Sequence, residues 1–237
     1  MQLLVSVNSV SEASLALSAG VDLLDLKDTT YGALAMLDMG VSQAILQAVR
    51  HHRIAHPAST VTVSATIGDD CASMEQLKQR MDARLEAGVD IIKLPATIWL
   101  DSDLQTTLQR FLGHQVSLIA VFSPAELAEH AFMHEKLAEL SAKGYFGVMV
   151  DTIDKHMPVT AQVDQHTLRA FIQLAQSLAL TVGVAGGLQV SDLKLLSLMR
   201  PDYIGFRSGL CEQQQRKNCL SASMLMTTVE KMSDICQ

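Results

Sequence analysis

The cysteines of this chain form no motif. Cys71, Cys211, Cys219 and Cys236 have no CxxC spacing and no adjacent histidine pattern, so neither a zinc site nor a redox motif is expected, and free thiols in a reducing compartment are the simpler reading. Aromatic residues make up only 4% of the sequence against 49% hydrophobic residues overall, which leaves Leu, Val, Ile, Ala and Met to build a core of the kind found in parallel sheets covered by helices. No apolar run approaches the ~18 residues of a membrane helix, and Met1-Gln2-Leu3 lacks the basic start of a secretory leader; a cytoplasmic protein with no membrane partner is expected. Basic clusters are scarce as well. The net charge is -7 and no basic cluster occurs beyond the short Arg216-Lys217 pair, which argues against a nucleic-acid partner. A small anionic ligand stays compatible, because backbone N–H groups bind phosphate whatever the net charge. Finally, no stretch rich in Gly, Pro or Ser divides the 237 residues, so residues 1–237 read as one domain.

Present throughout is an alternation of short apolar runs with amphipathic stretches, the pattern of βα units feeding a parallel sheet. Strands are expected at residues 2–7, 22–27, 61–66, 91–93, 116–121, 146–151, 181–184 and 202–206. Helices are expected over about 9–20, 41–54, 74–87, 102–112, 123–142, 163–178 and 220–232, with a further helix beginning at Gln189 or Ser191. Ser123-Pro124 gives a clear start, a capping hydroxyl followed by proline at the first helical position. Eight strands with intervening helices add up to a single-domain α/β protein, a (β/α)₈ TIM barrel.

In such barrels chemistry gathers at the C-terminal strand ends. The stretch Val21–Ala35 begins as a buried strand and ends on Asp25 and Lys27. A lysine is rarely buried without a partner, and an ammonium held in an apolar site loses pKa and becomes a nucleophilic amine able to form a Schiff base. The plainer reading is an ion pair with Asp25 or Asp28. Strand four also ends on a lysine, Lys93, and strand six on Asp151, with Lys155 in the following loop; Thr66 ends strand three. Several titratable groups on one rim favour a site over a solvated rim of ion pairs.

A phosphate site is expected after strands seven and eight, where this fold commonly keeps one. Gly186 and Gly187 let the backbone approach an anion, and the helix after them points N–H groups at it. Gly205, Arg207, Ser208 and Gly209 offer a second set of amides and a guanidinium able to hold a phosphate through two bonds. Other residues carry plainer expectations. His51, His52 and His56 lie in or just after one helix with no metal-ligand arrangement, and the methionines read as core or gap-fillers. Trp99 either walls a pocket or packs.

Asp25-Leu26-Lys27-Asp28 followed by Gly32-Ala33-Leu34 resembles the Asp-X-Lys-[Asn/Asp]-Pro-X-X-Gly-[Ser/Ala]-Leu-Gly pattern of the (5-formylfuran-3-yl)methyl phosphate synthases, TIM-barrel enzymes of methanofuran biosynthesis. The resemblance extends along most of the chain, through Leu3–Val7, Asp90–Lys93, Val150–Thr152 with Lys155, Val184–Leu188 and Pro201–Arg207 before Cys211. It implies a lyase-type synthase joining two molecules of glyceraldehyde-3-phosphate into a phosphorylated furan aldehyde, with loss of one phosphate and two waters. It also implies Lys27 as the Schiff-base lysine and Lys93 as the acid/base lysine, with Asp25, Asp151 and Lys155 lining the same pocket and no metal or organic cofactor. Thr29 departs from the pattern's proline and Ala35 from its second glycine, and both fall in the loop after strand two.

The nearest alternative is a Schiff-base aldolase that stops at the aldol product of a phosphorylated sugar. A phosphate-binding barrel without catalysis is a reading of another class, since a fold alone does not fix a function. Closed homo-oligomers are common among such enzymes, but the sequence points to no interface.

Overall fold

The computed structural model describes residues 1–30, 34–152 and 157–235. Eight parallel strands close into a barrel in sequential order: β1 Gln2–Val7, β2 Leu23–Leu26, β3 Thr62–Thr66, β4 Ile91–Leu94, β5 Ser117–Phe122, β6 Gly147–Val150, β7 Thr181–Val184 and β8 Tyr203–Phe206. The (β/α)₈ expectation holds, and β1 and β7 keep their expected bounds. The ring shuts where β1 pairs with β8, Gln2 opposite Tyr203 and Val5 opposite Phe206.

Successive side chains on a strand face opposite ways, and this divides the apolar residues in two. Leu24, Leu26, Val63, Ala65, Ile92, Leu94 and their equivalents face outward and join the helices in one large cluster. Leu4, Leu23, Ile91, Ile119, Met149 and Tyr203 face inward and form a separate cluster inside the barrel. Inward positions nearer the C-terminal strand ends are polar: Ser6, Asp25, Ser64 and Lys93, all buried. The barrel is therefore apolar at mid-height and charged toward its mouth.

Helices cover the outside: α1 Val10–Ser18, α2 Met39–Ala55, α3 Met74–Ala87, α4 Ala96–Trp99, α5 Gln105–Gly113, α6 Pro124–Ala128, α7 His130–Ala142, α8 Val159–Gln162, α9 Gln165–Ser177, α10 Leu193–Met199 and α11 Ala222–Ile235. Side chains fix their starts. Ser9, Asp38, Ser73 and Asp164 each accept a first-turn N–H, a cap worth ~1 kcal/mol apiece. α3 ends on Gly88 in the left-handed region at φ 102, a conformation in which only glycine is free of strain.

Two helices differ from expectation. The continuous helix over 123–142 is broken at Glu129, whose φ of -85 and ψ of 80 leave the helical region; the Ser123–Glu126 capping box anchors only the first segment. The stretch after β4 holds α4 before α5, because Trp99 folds inward. Its indole N–H donates to the Val121 carbonyl at 3.0 Å and its ring packs on Phe122 at 4.8 Å, so Trp99 is a packing residue.

The loop after β2 is tied down from beneath. Arg84 of α3 is fully buried and donates to Ser42 Oγ at 2.5 Å and to the Leu37 carbonyl. Burial pushes its pKa down to about 10. From above, Leu34 N–H donates to Asp69 at 2.7 Å. The Thr66 hydroxyl donates to the Ala35 carbonyl at 2.9 Å, so Thr66 secures this loop and does not open onto the mouth.

Candidate active site

The strand alternation that turns Leu24 and Leu26 outward turns Asp25 and Lys27 inward. Lys27 pairs across the barrel with Asp151 after β6, Nζ to Oδ2 at 3.0 Å. One layer deeper, Lys93 of β4 pairs with Asp25, Nζ to Oδ1 at 2.9 Å, and Asp25 also accepts from Ser64 at 2.7 Å and Ser6 at 3.1 Å. Both pairs differ from the local Lys27–Asp25 or Lys27–Asp28 pair that adjacency suggests. The deep pair is almost sealed, Lys93 1% and Asp25 2% exposed, whereas Lys27 and Asp151 are each 7% exposed. Desolvating an ion costs several kcal/mol, and a packed apolar replacement of a buried pair is commonly no less stable. Two such pairs in one barrel therefore point to chemistry and not to stability.

Electrostatics separates the layers. Burial pushes the Lys93 pKa down, and neighbouring Lys27 pushes the same way, against the opposing pull of Asp25 and Asp151. Burial pushes Asp25 up, but Lys93, Lys27 and the Ser64 hydroxyl outweigh it and hold the carboxyl below its ordinary value. The two directions are consistent: Asp25 holds its charge more readily than an ordinary carboxyl, and Lys93 sheds its proton more readily than an ordinary lysine. Lys93 lies a layer further in than Lys27 and is the more deeply buried of the two.

Both lysines and both aspartates open onto one cavity of about 320 Å³ at the barrel mouth, within the size range of small-molecule sites. Its opposite wall is the expected phosphate side. Gly186 and Gly187 line it with positive φ, 105 and 63. A Cβ at Gly186 would come within 2.6 Å of the Thr152 backbone nitrogen, so only glycine lets these two loops meet and leaves bare backbone facing the cavity. Ser208 lines it too. Gly209 does not: it packs against the Leu188 carbonyl, which a Cβ there would strike at 2.3 Å, and so supports the turn from behind. The expected helix N-terminus is also occupied otherwise, since Asp192 accepts the Gln189 N–H at 2.8 Å.

Arg207 touches the cavity wall, but its guanidinium is committed elsewhere. It forms a buried ion pair with Glu12 at 2.6 Å and donates to the carbonyls of Ser6, Arg216 and Asn218. In this arrangement Arg207 clamps the loop after β8 to α1, and its guanidinium is bonded to protein oxygens at the positions the expected two-bond phosphate fork would use. Thr29 joins the clamp, accepting from Asn8 at 2.7 Å with Arg207 Nη2 at 3.5 Å; a proline at this position has no hydroxyl to do so. Arg216 and Lys217 of this loop also line the cavity. Burial lowers the Arg216 pKa, with Asp151 pulling the other way and Arg207 adding to the lowering. Neither residue was singled out from sequence beyond being a short basic pair; their place in the loop after the eighth strand was the available signal. Lys155 lies outside the described residues. His52 and His56 stack at 4.4 Å between centroids far from the mouth, and no group of three metal-binding side chains occurs among the described residues.

Comparison with known proteins follows the same lines. The profile of a family described as 4-HFC-P synthase matches residues 3–229. A Methylorubrum extorquens protein, provisionally named a (5-formylfuran-3-yl)methyl phosphate synthase, is 31% identical over 98% of this chain and 91% of its own length. The (5-formylfuran-3-yl)methyl phosphate synthase of Methanosarcina mazei is 28% identical over the whole of both chains. Among solved structures, phosphoribosyl anthranilate isomerase from Thermus thermophilus superposes with a TM-score of 0.65 over 99% of this chain and 100% of its own, at 16% identity, a likeness of fold alone.

Proposed function

Because this chain belongs to the 4-HFC-P synthase family, we propose that it condenses two molecules of glyceraldehyde-3-phosphate into (5-formylfuran-3-yl)methyl phosphate through a Schiff base on Lys27. The observation that carries this reading is the stacking of two lysine–aspartate pairs under one opening, with Lys27 at the surface of the stack and Lys93 beneath it. A triose aldehyde reaches Lys27 first; Lys93, 1% exposed, is open only to what sits above it.

In this scheme the Lys27 amine adds to the aldehyde and water leaves, with Asp151 at 3.0 Å passing the proton that departing oxygen needs. The resulting imine is an electron sink. Lys93, uncharged and backed by the Asp25 carboxylate, takes the proton from the carbon next to the imine and leaves an enamine. The enamine carbon attacks the aldehyde of the second triose. Elimination of phosphate and one water, ring closure with loss of a further water, and hydrolysis of the imine, which takes back the water released when it formed, return Lys27, for a total of one furan, one phosphate and two waters from two trioses. The bare backbone of Gly186 and Gly187, Ser208 and the Arg216–Lys217 pair hold phosphate across the cavity from Lys27. Lys155 fits this scheme as a further acid or base.

The test is to incubate the protein with glyceraldehyde-3-phosphate and follow furan-aldehyde absorbance together with free phosphate. Equimolar release supports the reading. Accumulation of an aldol product with no furan and no phosphate replaces it with a Schiff-base aldolase.

A further inference from the structure

The inside of the barrel opens at its other end as well. Below Lys93, toward the N-terminal strand ends, a cavity of about 100 Å³ is bounded by apolar side chains of the inner cluster and by Thr62, Ser64, Thr181, Tyr203 and Lys93 itself, with Gln2 at its outer rim. Exposure falls steadily along it: Gln2 is exposed, Thr62 and Thr181 are half-buried, and Ser64, Tyr203 and Lys93 are buried. Barrel interiors at this level are ordinarily filled by branched apolar side chains; here such side chains share the wall with the hydroxyl-bearing Thr62, Ser64, Thr181 and Tyr203. The Tyr203 ring lies over Gly183, where any Cβ would come within 2.1 Å of it, so the glycine is what admits the ring. The Tyr203 hydroxyl is buried and bonds no group among the described residues. Leaving such a group unmatched costs ~1–3 kcal/mol, and a space of this size, with the polar groups of Tyr203, Ser64 and Lys93 on its wall, accommodates about three waters at ~30 Å³ each. Burial first, then the carboxylates of Asp25, Asp202 and Asp151, raise the Tyr203 pKa, so the phenol stays protonated and both donates to and accepts from water.

We propose that water in this lower cavity, held by Tyr203, is a second proton port that connects Lys93 to solvent at the barrel face opposite the mouth. The port rests on the reading of Lys93 as the base. The charged groups that face Lys93 are Asp25, Lys27 and Asp151, and a substrate filling the mouth above them closes the upper route. After Lys93 takes the proton next to the imine, its ammonium passes one of three equivalent protons to the adjoining water and recovers the nitrogen lone pair, while a proton leaves the outer end of the chain. Reversal in heavy water brings in a deuteron. Tyr203 is a positioning residue in this arrangement.

The experiment compares wild type, Tyr203→Phe, which keeps the ring and removes the hydroxyl, and Thr62→Ile, which narrows the outer neck. Each is run with glyceraldehyde-3-phosphate in D₂O, and deuterium at the carbon next to the aldehyde of recovered substrate is measured against furan formed. Both substitutions are expected to lower that ratio about tenfold, the size of one lost hydrogen-bonded link, while borohydride still traps an adduct on Lys27. Adducts in all three proteins with an unchanged ratio overturn the port alone. No adduct in wild type overturns the Schiff-base reading and the port with it. A high-resolution crystal structure of the full chain supplies a measure independent of turnover: ordered water bonded to the Tyr203 hydroxyl supports the port, and that hydroxyl bonded directly to a protein atom overturns it.

Discussion

Replacing Asp25 by asparagine tests the deep ion pair without changing its shape. Ser6 and Ser64 reach different oxygens of Asp25; the amide oxygen accepts from one hydroxyl and the amide NH₂ donates to the other, so what changes is the environment of Lys93, sealed at 1% exposure with its nearest carboxylate gone. The lysine meets this by shedding its proton. Holding a lysine neutral at pH 7 against an unfolded pKa of ~10.4 costs at most about 4.6 kcal/mol, at ~1.4 kcal/mol per unit. Part of that cost is present already in the wild type, where burial lowers the Lys93 pKa despite Asp25, so the expected loss is about 2–4 kcal/mol. Its pH dependence is the sharper signature. Where a lysine's folded pKa lies below its unfolded one, the unfolded chain holds more protons, and stability rises with pH by about 1.4 kcal/mol per unit until the unfolded pKa is passed. In the Asp25→Asn protein that rise begins at lower pH than in wild type, so the gap between the two narrows at about this slope between their Lys93 pKa values and is constant above the higher of them. Asp25 itself, with a lowered pKa, contributes stability that is lost only as pH falls through the acid range and leaves this window untouched. Urea unfolding at pH 7, 8 and 9 measures the gap. A stability of the Asp25→Asn protein that does not rise with pH over that range refutes the argument that its Lys93 is buried and loses its charge.

Lys93→Met should lower kcat by 10²–10⁴, roughly the worth of a general base, while a reducible adduct still forms on Lys27; loss of the adduct together with kcat would give Lys93 the covalent role. Arg207→Gln breaks the buried pair with Glu12 at 2.6 Å and should cost about 3–5 kcal/mol in urea denaturation. A raised KM with unchanged stability would instead mean that its guanidinium serves phosphate. Gly186→Ala forces a side chain into φ 105 and toward Thr152, with an expected cost of about 1–3 kcal/mol and weaker inhibition by inorganic phosphate; an unperturbed midpoint would contradict the tight approach of these loops.

The barrel was legible in the sequence because each strand is a short buried run closed by a turn, and because Lys27, Lys93 and Asp151 stand where such runs end in charge. The pairing of those charges was not. Lys27 meets Asp151 from 124 residues away and Glu12 meets Arg207 from 195 away, and such partners are set by how the barrel closes, information that local periodicity does not carry. Adjacency suggested Asp25 for Lys27, yet adjacent inward positions of one strand lie in different layers, and Asp25 is level with Lys93 on β4. Arg207 read as a phosphate ligand for the same reason: its spacing after β8 is visible in sequence, while the buried Glu12 that occupies it is contributed by α1. The break at Glu129 carried no glycine or proline to announce it.

The most direct test of the account is borohydride trapping with glyceraldehyde-3-phosphate followed by peptide mass spectrometry. The account predicts a reduced triose adduct on Lys27, lost in Lys27→Ala and retained in Lys93→Met. An adduct carried by Lys93 in the wild type, or none on any lysine while furan is still formed, would contradict it.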